Sequence, residues 1–367
     1  MPHIALVTVQ AARATDEDLA PLESALQQAG AQVSIVDWDD PIVDWSRFDL
    51  TVLRSCWDYT ERYVEFLVWA EHISHLTHLL NPFTIVRWNT DKHYLAELER
   101  AGIAIVPSRF VEPESDIVAE LQSFLDEHRD CAELVVKPAI GAGSRDTQRH
   151  ARHNLAAITA HVERLLKGGR SVLLQPYLDR VDEAGETALI HFDGRYSHAI
   201  RKGPLLRRDE GPTAELYAPE QIDARQPDAD ERELAATVIA ALPFADTPAY
   251  ARVDLVRADD GTRLLLELEL AEPSCSSGTH PVRLRDSPRS CSPGARLIRC
   301  GDDRGSGQEM SKPRRAPATM RVSASPYRSC PQPCPRRLWI SRLQQCAARS
   351  DAFSRNPLRG RNAALFH

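Results

Sequence analysis

Acidic side chains are concentrated in a predicted hairpin near residue 260 of this 367-residue chain. The dipeptide Asp260-Gly261 favours a two-residue turn of type I′. Counting back along both strands in that register sets Asp254 opposite Glu267 and Arg252 opposite Glu269. Because side chains alternate between the two faces of a strand, these four residues share one face. The other face is apolar and consists of Val253, Leu255, Leu266, Leu268 and Leu270.

The carboxylates of this hairpin predict a metal site. Carboxylates directly opposed across a ladder repel each other, and a cation between them removes the repulsion. Oxygen ligands favour Mg²⁺, which proteins commonly hold with few carboxylates and the phosphates of a substrate. We therefore predict Asp254, Glu267 and Glu269 as metal ligands. Arg252 would steady a transferring phosphoryl group or form a salt bridge to Glu269, and the two roles are compatible. The alternative is a solvated charged face, which would normally mix Thr, Lys and Ser with the acids.

A lysine at a strand end, followed by a glycine-bearing loop, predicts a phosphate site. Lys137 ends an apolar run, and Gly141, Gly143 and Ser144 follow it. Glycines let backbone N–H groups approach phosphate oxygens, and the lysine supplies positive charge. The loop lacks the Gly-Lys-Ser/Thr of a Walker A sequence, and Asp146 breaks the dinucleotide-binding fingerprint. The pattern therefore favours another kind of phosphate cradle.

Two further segments are candidates for contact with a substrate. Arg201 and Lys202 end a predicted strand and could bind a substrate carboxylate or the γ-phosphate; the alternative is a solvated basic pair. The polar and aromatic segment at residues 54–59 follows another predicted strand. It is either a substrate loop or a turn with a packed tryptophan.

The elements that would position these groups alternate between strand and helix, which indicates a parallel sheet with ligands at the carboxyl ends of its strands. Hairpins are predicted at 186–201, with a turn at Asp193-Gly194, and at 249–270. The other predicted strands are 3–9, 32–37, 49–54, 104–110, 133–137 and 171–175. The predicted helices are 16–29, 60–78, 90–101, 115–127, 153–167 and 229–241.

Composition and charge separate an acidic body from a basic tail. The net charge is −7, yet residues 275–367 hold 17 arginines and one lysine against five acidic residues, so residues 1–274 are strongly acidic. An acidic body argues against nucleic acid as the main partner, because phosphate binding needs a basic face. The N-terminal run is too short for a signal helix, and no later stretch approaches a membrane span. We expect a cytoplasmic protein without a membrane partner.

Residues 275–367 lack the pattern of a folded domain. They hold six of the eight cysteines and ten of the 25 prolines, with poor amphipathic periodicity. Cys330 and Cys334 have no second pair of ligands, which argues against zinc. The abrupt change near Ser274 is typical of a GC-rich gene that is read out of frame, and we expect a tail of low order. The alternative is a nucleic-acid arm with steeply salt-dependent DNA binding.

Five short motifs stand in the order and spacing of the ATP-grasp superfamily. They are Lys92 near a helix start, Val136-Lys137-Pro138 with the glycine loop, Gln175-Pro176-Tyr177-Leu178, Arg252-Val253-Asp254 and Leu266-Glu267-Leu268-Glu269. On these motifs residues 89–270 resemble an ATP-grasp ligase, and residues 1–88 look like the Rossmann-like domain that precedes it. The resemblance implies an α/β and α+β fold. Its parts would be a Rossmann-like domain at 1–88, ATP-grasp subdomains at 89–178 and 179–274, and the tail at 275–367.

The resemblance also implies roles for these residues. Lys92 and Lys137 would bind the α- and β-phosphates of ATP, and the glycine loop would cover them. Asp254, Glu267 and Glu269 would hold Mg²⁺, with Mn²⁺ as a substitute. The family often has Asn at the last of these positions, so Glu269 changes the charge of the site more than its capability. The adenine ring would be gripped by Gln175, Pro176, Tyr177 and Leu178.

Within the superfamily, several strings resemble O-ureido-serine cyclo-ligases of cycloserine biosynthesis and proteins like the ATP-binding domain of glutathione synthetase. They include residues 36–40, 43–45, 54–59, 87–92 and 201–204. The resemblance implies a ligase that converts a carboxylate into an acyl phosphate for attack by a nitrogen nucleophile. Its partner would be a small amino-acid-like substrate such as O-ureido-serine, cyclised in the reaction. The oligomeric state stays open and is compatible with a homodimer. The alternative is a catalytically impaired ATP-binding protein of the same fold, if the native C-terminus is lost.

Overall fold

The computed structural model describes residues 1–208, 211–212 and 221–275. Within these residues three β-sheets are flanked by helices, so the predicted mixed α/β fold is confirmed. Across the same residues, every helix is too short or too polar to span a bilayer. The predictions for the tail beyond Cys275, including the exclusion of a zinc site at Cys330 and Cys334, fall outside the described residues.

The first sheet is parallel and has the strand order β2-β1-β3-β4. Its strands are β1 (His3–Thr8), β2 (Gln32–Asp37), β3 (Leu50–Ser55) and β4 (His78–Leu79), and its helices are α1 (Leu19–Gln28) and α2 (Tyr63–Ser74). Strand β3 is buried throughout, and β1 is buried from Ile4 onward. Burial on both faces is expected of central strands in a parallel sheet covered by helices.

Helices α1 and α2 both begin later than predicted. Asp16 and Asp18 form a turn instead of the first turn of α1, because the Oδ1 atom of Asp16 accepts a hydrogen bond from the backbone N–H of Asp18 (3.0 Å). The Nη2 atom of Arg54, at the carboxyl end of β3, lies 3.5 Å from an oxygen of each carboxylate. Before α2, residues Trp57–Thr60 form a short 3-10 helix. These turns therefore bring polar side chains to the carboxyl end of the first sheet.

The second sheet is antiparallel and follows two short linking helices, α3 (Phe83–Asn89) and α4 (Tyr94–Arg100). Its strand order is β5-β8-β6-β7. The strands are β5 (Arg109–Val111), β6 (Glu133–Pro138), β7 (Gln148–Ala151) and β8 (Val172–Pro176), with helices α5 (Ile117–Glu127) and α6 (Leu155–Lys167). Apolar residues of both helices form one buried cluster with the strands. Lys137, in β6, lies on the face of the sheet that is opposite to these helices.

The third sheet is antiparallel, with the order β11-β10-β9-β12-β13. Its strands are β9 (Glu186–Phe192), β10 (Arg195–Lys202), β11 (Ile222–Arg225), β12 (Tyr250–Arg257) and β13 (Arg263–Glu269), and its helices are α7 (Arg180–Ala184) and α8 (Ala229–Ala240). Strands β9 and β10 form the hairpin predicted around Asp193-Gly194, and both turn residues have positive φ angles. Helix α8 begins at a capping box between Asp228 and Glu231.

The turn between β12 and β13 differs from the two-residue type I′ turn predicted for it. The backbone N–H of Ala258 donates to the carbonyl of Thr262, and the N–H of Gly261 donates to the carbonyl of Ala258 (both 2.9 Å). The loop therefore contains three residues. Gly261, with a φ angle of 88°, takes the left-handed position that such loops require.

The predicted pairing of the acidic residues is nevertheless confirmed. Arg252 pairs with Glu269, and Asp254 pairs with Glu267. A β-bulge between Asp254 and Leu255 shifts the register by one residue and so cancels the extra residue of the turn. The acidic face consequently arises from two irregularities that compensate each other.

Strand β13 lies at the edge of its sheet, and side chains of the linking helices close its open side. The Nδ2 atom of Asn89 donates to the carbonyl of Leu268 (2.8 Å), and its Oδ1 atom accepts from the N–H of Leu270 (2.6 Å). The hydroxyl of Tyr94 accepts from the N–H of Leu268 (2.9 Å). These bonds fix the strand that carries Glu267 and Glu269 against the linker.

Candidate active site

One cavity of about 600 Å³ is bounded by loops of all three sheets and by the segment after β13. The structure brings most of the predicted site residues to its walls. These are Lys92, Lys137, Gly141, Gly143, Ser144, Gln175, Pro176, Tyr177, Leu178, Lys202, Arg252, Glu267 and Glu269. Asp254 and Arg201 are the predicted residues that do not line it.

Three lysines, here called the lysine end, converge on one part of the cavity. Lys92, Lys137 and Lys202 are each less than a tenth exposed. The Nζ atom of Lys92 lies 3.0 Å from the carboxylate of Glu267, and the Nζ atom of Lys202 lies 3.2 Å from that of Glu186. Buried ammonium groups that face a common space form a site for a polyanion such as a triphosphate.

Charges of the lysine end shift one another's pKa values. Burial lowers the pKa of Lys137 to about 8, and the attraction of Glu267 only partly opposes this effect. Burial alone would raise the pKa of Glu267, but Lys92, Lys137 and Lys202 hold it at about 2. Glu267 is therefore ionised at neutral pH, and a bound phosphate would favour the charged form of Lys137.

The predicted metal ligands occupy two different positions. Glu267 and Glu269 line the cavity, whereas Asp254 lies behind them and is 1% exposed. The Oδ1 atom of Asp254 accepts from the Nε atom of Arg252 (2.8 Å), and the Nζ atom of Lys202 lies 3.3 Å from Oδ2. Asp254 therefore orients the guanidinium of Arg252 and the ammonium group of Lys202. Its position differs from the expectation that all three acids face one metal ion.

The remaining donor set is compatible with Mg²⁺ bound together with phosphates. Across residues 1–208, 211–212 and 221–275, no three Asp, Glu, His or Cys side chains are grouped to hold a metal ion by themselves. Glu269 is ion-paired with Arg252, yet burial and then the nearby acids keep its pKa well above the usual range. A divalent cation would relieve this cost, and Mg²⁺ commonly needs only one or two carboxylates beside phosphates and water.

The glycine loop lies over the lysine end. The Nζ atom of Lys92 donates to the carbonyl of Gly141 (2.6 Å). Gly143 and Ser144 have φ angles of 60° and 59°. Glycine adopts this conformation without strain, which explains its use at a loop that must approach phosphate oxygens closely.

The same loop is tied to the first sheet on its other side. Arg145 forms an ion pair with Glu61, which follows the 3-10 helix before α2. Ile140 and Ala142 pack against the apolar cluster that includes Trp57. The loop therefore contacts the phosphate region and the N-terminal domain at once.

Near Gln175 and Tyr177 the wall of the cavity is largely apolar, as a purine ring would need. Gln175 and Tyr177 lie at the end of β8, and the guanidinium of Arg149 stacks 3.5 Å above the ring of Tyr177. Leu266 was predicted for the core but lines the cavity, because the bulge turns Leu265 inward instead. The other apolar lining residues are Val106, Val135, Val181, Leu205, Leu206, Ile222 and Val256.

Arg201 and Lys202 point to opposite sides of β10, so only Lys202 reaches the cavity. The guanidinium of Arg201 donates to the carbonyls of Ala184 (2.8 Å) and Glu183 (3.1 Å). Arg201 therefore lies outside the cavity wall, and its contact with a substrate carboxylate or the γ-phosphate stays a prediction. Its bonds satisfy carbonyl groups at the end of α7.

The cavity also has an acidic end, which the sequence did not predict. We use this name for the loop at residues 16–18 together with Glu272. Glu272 stands three residues after Glu269 and is 8% exposed, and the hydroxyl of Tyr59 contacts its carboxylate. Burial raises the pKa of Glu272 to about 7, although Arg252 and Lys92 oppose this shift. The sequence signal that could have found it is an acid placed just past the metal strand and followed by Pro273-Ser274.

The segment that carries Glu272 is fixed by the first sheet. The Nη1 atom of Arg54 donates to the carbonyl of Pro273 (3.0 Å), and the N–H of Cys275 donates to the Oδ2 atom of Asp18 (2.8 Å). Cys275 was assigned to the tail, but it is buried in this contact. The acidic end is consequently held in place by Arg54 and Asp18.

Lysines, a glycine loop and an acidic hairpin around one cavity define the class of ATP-grasp ligases. The solved structures agree on the fold: the ATP-grasp ligase PsnB, in complex with a variant of its minimal precursor, Mg and ADP, matches with a TM-score of 0.51 at 15% identity. That match covers 75% of this chain and 92% of PsnB.

Closer matches give the family. Residues 4–81 match the N-terminal domain of D-cycloserine synthetase DcsG. The cycloserine biosynthesis protein DcsG of Streptomyces lavendulae is 43% identical over 278 residues, which are 75% of this chain and 92% of the relative. The crystal structure of D-cycloserine synthetase DcsG matches with a TM-score of 0.72 at 42% identity, over 76% of this chain and 94% of that one. The chain belongs to the DcsG family and is an ATP-dependent ligase.

Proposed function

We propose that the protein uses ATP and Mg²⁺ to activate the carboxylate of an amino-acid derivative, and that a nitrogen nucleophile then forms an amide bond at that carbon. One observation carries the proposal: a single cavity joins the lysine end to Glu267 and Glu269. Positive charge for phosphates and oxygen ligands for a cation are the requirements of phosphoryl transfer, which depends on positioning and charge neutralisation.

The reaction would have two steps. A carboxylate oxygen of the substrate attacks the γ-phosphorus, the bond to the ADP oxygen breaks, and an acyl phosphate forms. The nitrogen then attacks the acyl carbon, inorganic phosphate leaves, and the nitrogen loses a proton. Lys92, Lys137 and Lys202 would bind phosphate oxygens throughout, and Arg252, beside Glu269, would steady the transferring group.

Glu267 and Glu269 would hold Mg²⁺, which when bound would neutralise charge on the phosphates. The glycine loop would exclude water from the acyl phosphate, which is prone to hydrolysis. Gln175, Tyr177 and the apolar wall beside them would hold the adenine ring. In this scheme Asp254 positions Arg252 and Lys202 from behind.

For the substrate we propose O-ureido-serine, with attack by a nitrogen of the same molecule and closure of a ring. The support is the family relationship to proteins of cycloserine biosynthesis. In an intramolecular reaction the nucleophile is already held near the acyl carbon, so the protein has only to fold the substrate into the reactive conformation.

The test is ADP release with Mg²⁺-ATP across a panel of amino acids that includes O-ureido-serine, with mass spectrometry of the product. We expect O-ureido-serine to stimulate ADP release and to yield the cyclised product. Glu267→Gln should lower this rate on the order of 100- to 1,000-fold, because a buried charge that organises the transition state is lost. Glu71→Gln removes the same charge from the exposed face of α2 and serves as the control.

The competing function is ATP binding without catalysis. It predicts that Mg²⁺-ATP binds to the wild-type protein while no amino acid in the panel stimulates ADP release. Stimulation by O-ureido-serine that is equal in wild type and Glu267→Gln would instead contradict the assignment of the site.

A further inference from the structure

The two ends of the cavity differ in charge. The lysine end suits phosphates. At the acidic end Asp16, Asp18 and Glu272 supply three carboxylates, and Arg54 lies between the first two. In the described part of the chain, no Lys, Arg or His nitrogen lies within ion-pair distance of Glu272.

Glu272 is built into the wall of the cavity. It is 8% exposed and lines the space beside Glu269 and Arg252. The Tyr59 hydroxyl contacts it from the first sheet, and the bond from Arg54 to the Pro273 carbonyl fixes the backbone next to it. Arg252 and Lys92 attract this carboxylate only from beyond ion-pair distance, and a cationic group of a ligand in direct contact would lower the free-energy cost of its burial.

A second, independent observation points to a cationic ligand at this end. The Oδ2 atom of Asp16 is buried and has no hydrogen-bond partner among the residues that the structure describes. Asp16 also lines the cavity. An ammonium group has three N–H donors and would satisfy an acceptor oxygen of this kind.

We propose that Glu272 binds the α-ammonium group of the substrate, which makes the acidic end a subsite for α-amino acids. The inference rests on the proposed function, because that function puts the transferring phosphoryl group, and with it the substrate carboxylate, at Arg252 beside Glu269. In an α-amino acid one carbon separates the carboxylate from the ammonium group. Glu269 and Glu272 line the same cavity three residues apart in the chain, and we infer that the two charged groups of one small molecule lie beside them.

The arrangement explains how one cavity would distinguish the two charged groups of its substrate. The carboxylate is attracted to the lysine end and the transferring phosphoryl group. The ammonium group is repelled by the lysines and attracted by Glu272, so the molecule binds in one orientation. The same contact selects against carboxylic acids that lack the amino group.

The experiment measures binding, by calorimetry, to protein saturated with Mg²⁺ and the non-hydrolysable analogue AMPPNP. The two probes are O-ureido-serine and the matching acid without the α-amino group. We expect wild type to bind the amino acid on the order of 100-fold more tightly, and Glu272→Gln to reduce this preference to about 5-fold or less. Glu272→Asp keeps the charge and should retain part of the preference, and Glu71→Gln should retain all of it.

Other outcomes would overturn the inference. An undiminished preference in Glu272→Gln contradicts it, and so does a variant that changes only the Mg²⁺ concentration needed for AMPPNP binding, since Glu272 would then serve the metal. If wild type binds neither probe, both this inference and the proposed function fail. If the preference depends on Glu272 while no ADP release occurs, the subsite stands and the proposed function fails.

Discussion

The lysine end and the acidic end of the cavity are built in different ways. Lysine-end residues lie on regular elements or at their ends, and acids of β9, β12 and β13 compensate their charge. Acidic-end residues lie on irregular segments, and the negative charge of Asp16 and Asp18 is balanced by Arg54. We infer that phosphate would complete the lysine end and that a cationic group of the substrate would complete the acidic end.

The largest expected effect is the loss of nucleotide affinity at the lysine end in Lys137→Met. Loss of the buried ammonium group should weaken AMPPNP binding roughly 100- to 1,000-fold, because a charge pair with phosphate disappears. Burial of the charge is unfavourable in the free protein, as the lowered pKa of Lys137 shows, so the thermal midpoint should stay unchanged or rise. Calorimetry and thermal unfolding measure the two effects.

Lys167→Met is the matched control for that substitution, because Lys167 lies on the exposed side of α6 and pairs with Glu163. It should alter neither affinity nor the midpoint appreciably. A large loss of stability in Lys137→Met with nucleotide affinity retained would mean that Lys137 has a structural role instead.

Arg54→Met should destabilise the acidic end. This variant leaves Asp16 and Asp18 buried without their cation and removes the donor to Pro273, so the free energy of unfolding should fall by about 3–5 kcal/mol. Denaturant unfolding measures the change. In Arg13→Met, which breaks the exposed pair with Asp37, the loss should stay below about 1 kcal/mol. Equal losses in the two variants would contradict the buried character of the Arg54 cluster.

A smaller effect concerns pH at the lysine end. Burial lowers the pKa of Lys137 to about 8 in the free protein, below its ordinary value of 10.5. Bound phosphate favours the charged form, so AMPPNP binding near pH 8 should take up a fraction of a proton, and affinity should decrease as the pH rises above 8. Calorimetry in two buffers with different ionisation enthalpies measures this uptake. Lys137→Met should show less uptake, and an equal value would assign the proton to another group.

The smallest expected effect is at the contact between the glycine loop and the N-terminal domain. Arg145 and Glu61 are half-exposed, so their pair should contribute less than about 1 kcal/mol to stability. Arg145→Gln, Glu61→Gln and the double variant form a thermodynamic cycle for AMPPNP binding. We expect a coupling of a few tenths of a kcal/mol. Strictly additive changes would show that the pair does not hold the glycine loop.

Much of the lysine end could be predicted from sequence because its residues follow regular periods. The position of Lys137 near the end of an apolar strand and the pairing of Glu267 with Asp254 both follow from strand geometry. The sequence predicted both correctly. The pairing was predicted correctly although the turn was not, since the bulge offset the turn. Strand alternation alone should have separated Arg201 from Lys202.

The acidic end was missed for a physical reason. Asp16 and Glu272 lie on segments without a repeating backbone, so spacing says nothing about where their side chains point. Their proximity depends on Arg54, which donates to the carbonyl of Pro273, 219 positions away in the chain, and to Asp16, 38 positions away. Such contacts are fixed by tertiary packing, which no local pattern of residues encodes.

Asn89 and Tyr94 have a consequence beyond holding β13. An outermost strand offers a row of free backbone groups, and such a row invites a strand from another molecule to extend the sheet. The amide of Asn89 and the hydroxyl of Tyr94 occupy that row at Leu268 and Leu270. The contacts that aim Glu267 and Glu269 into the cavity therefore also protect this sheet from edge-to-edge self-association.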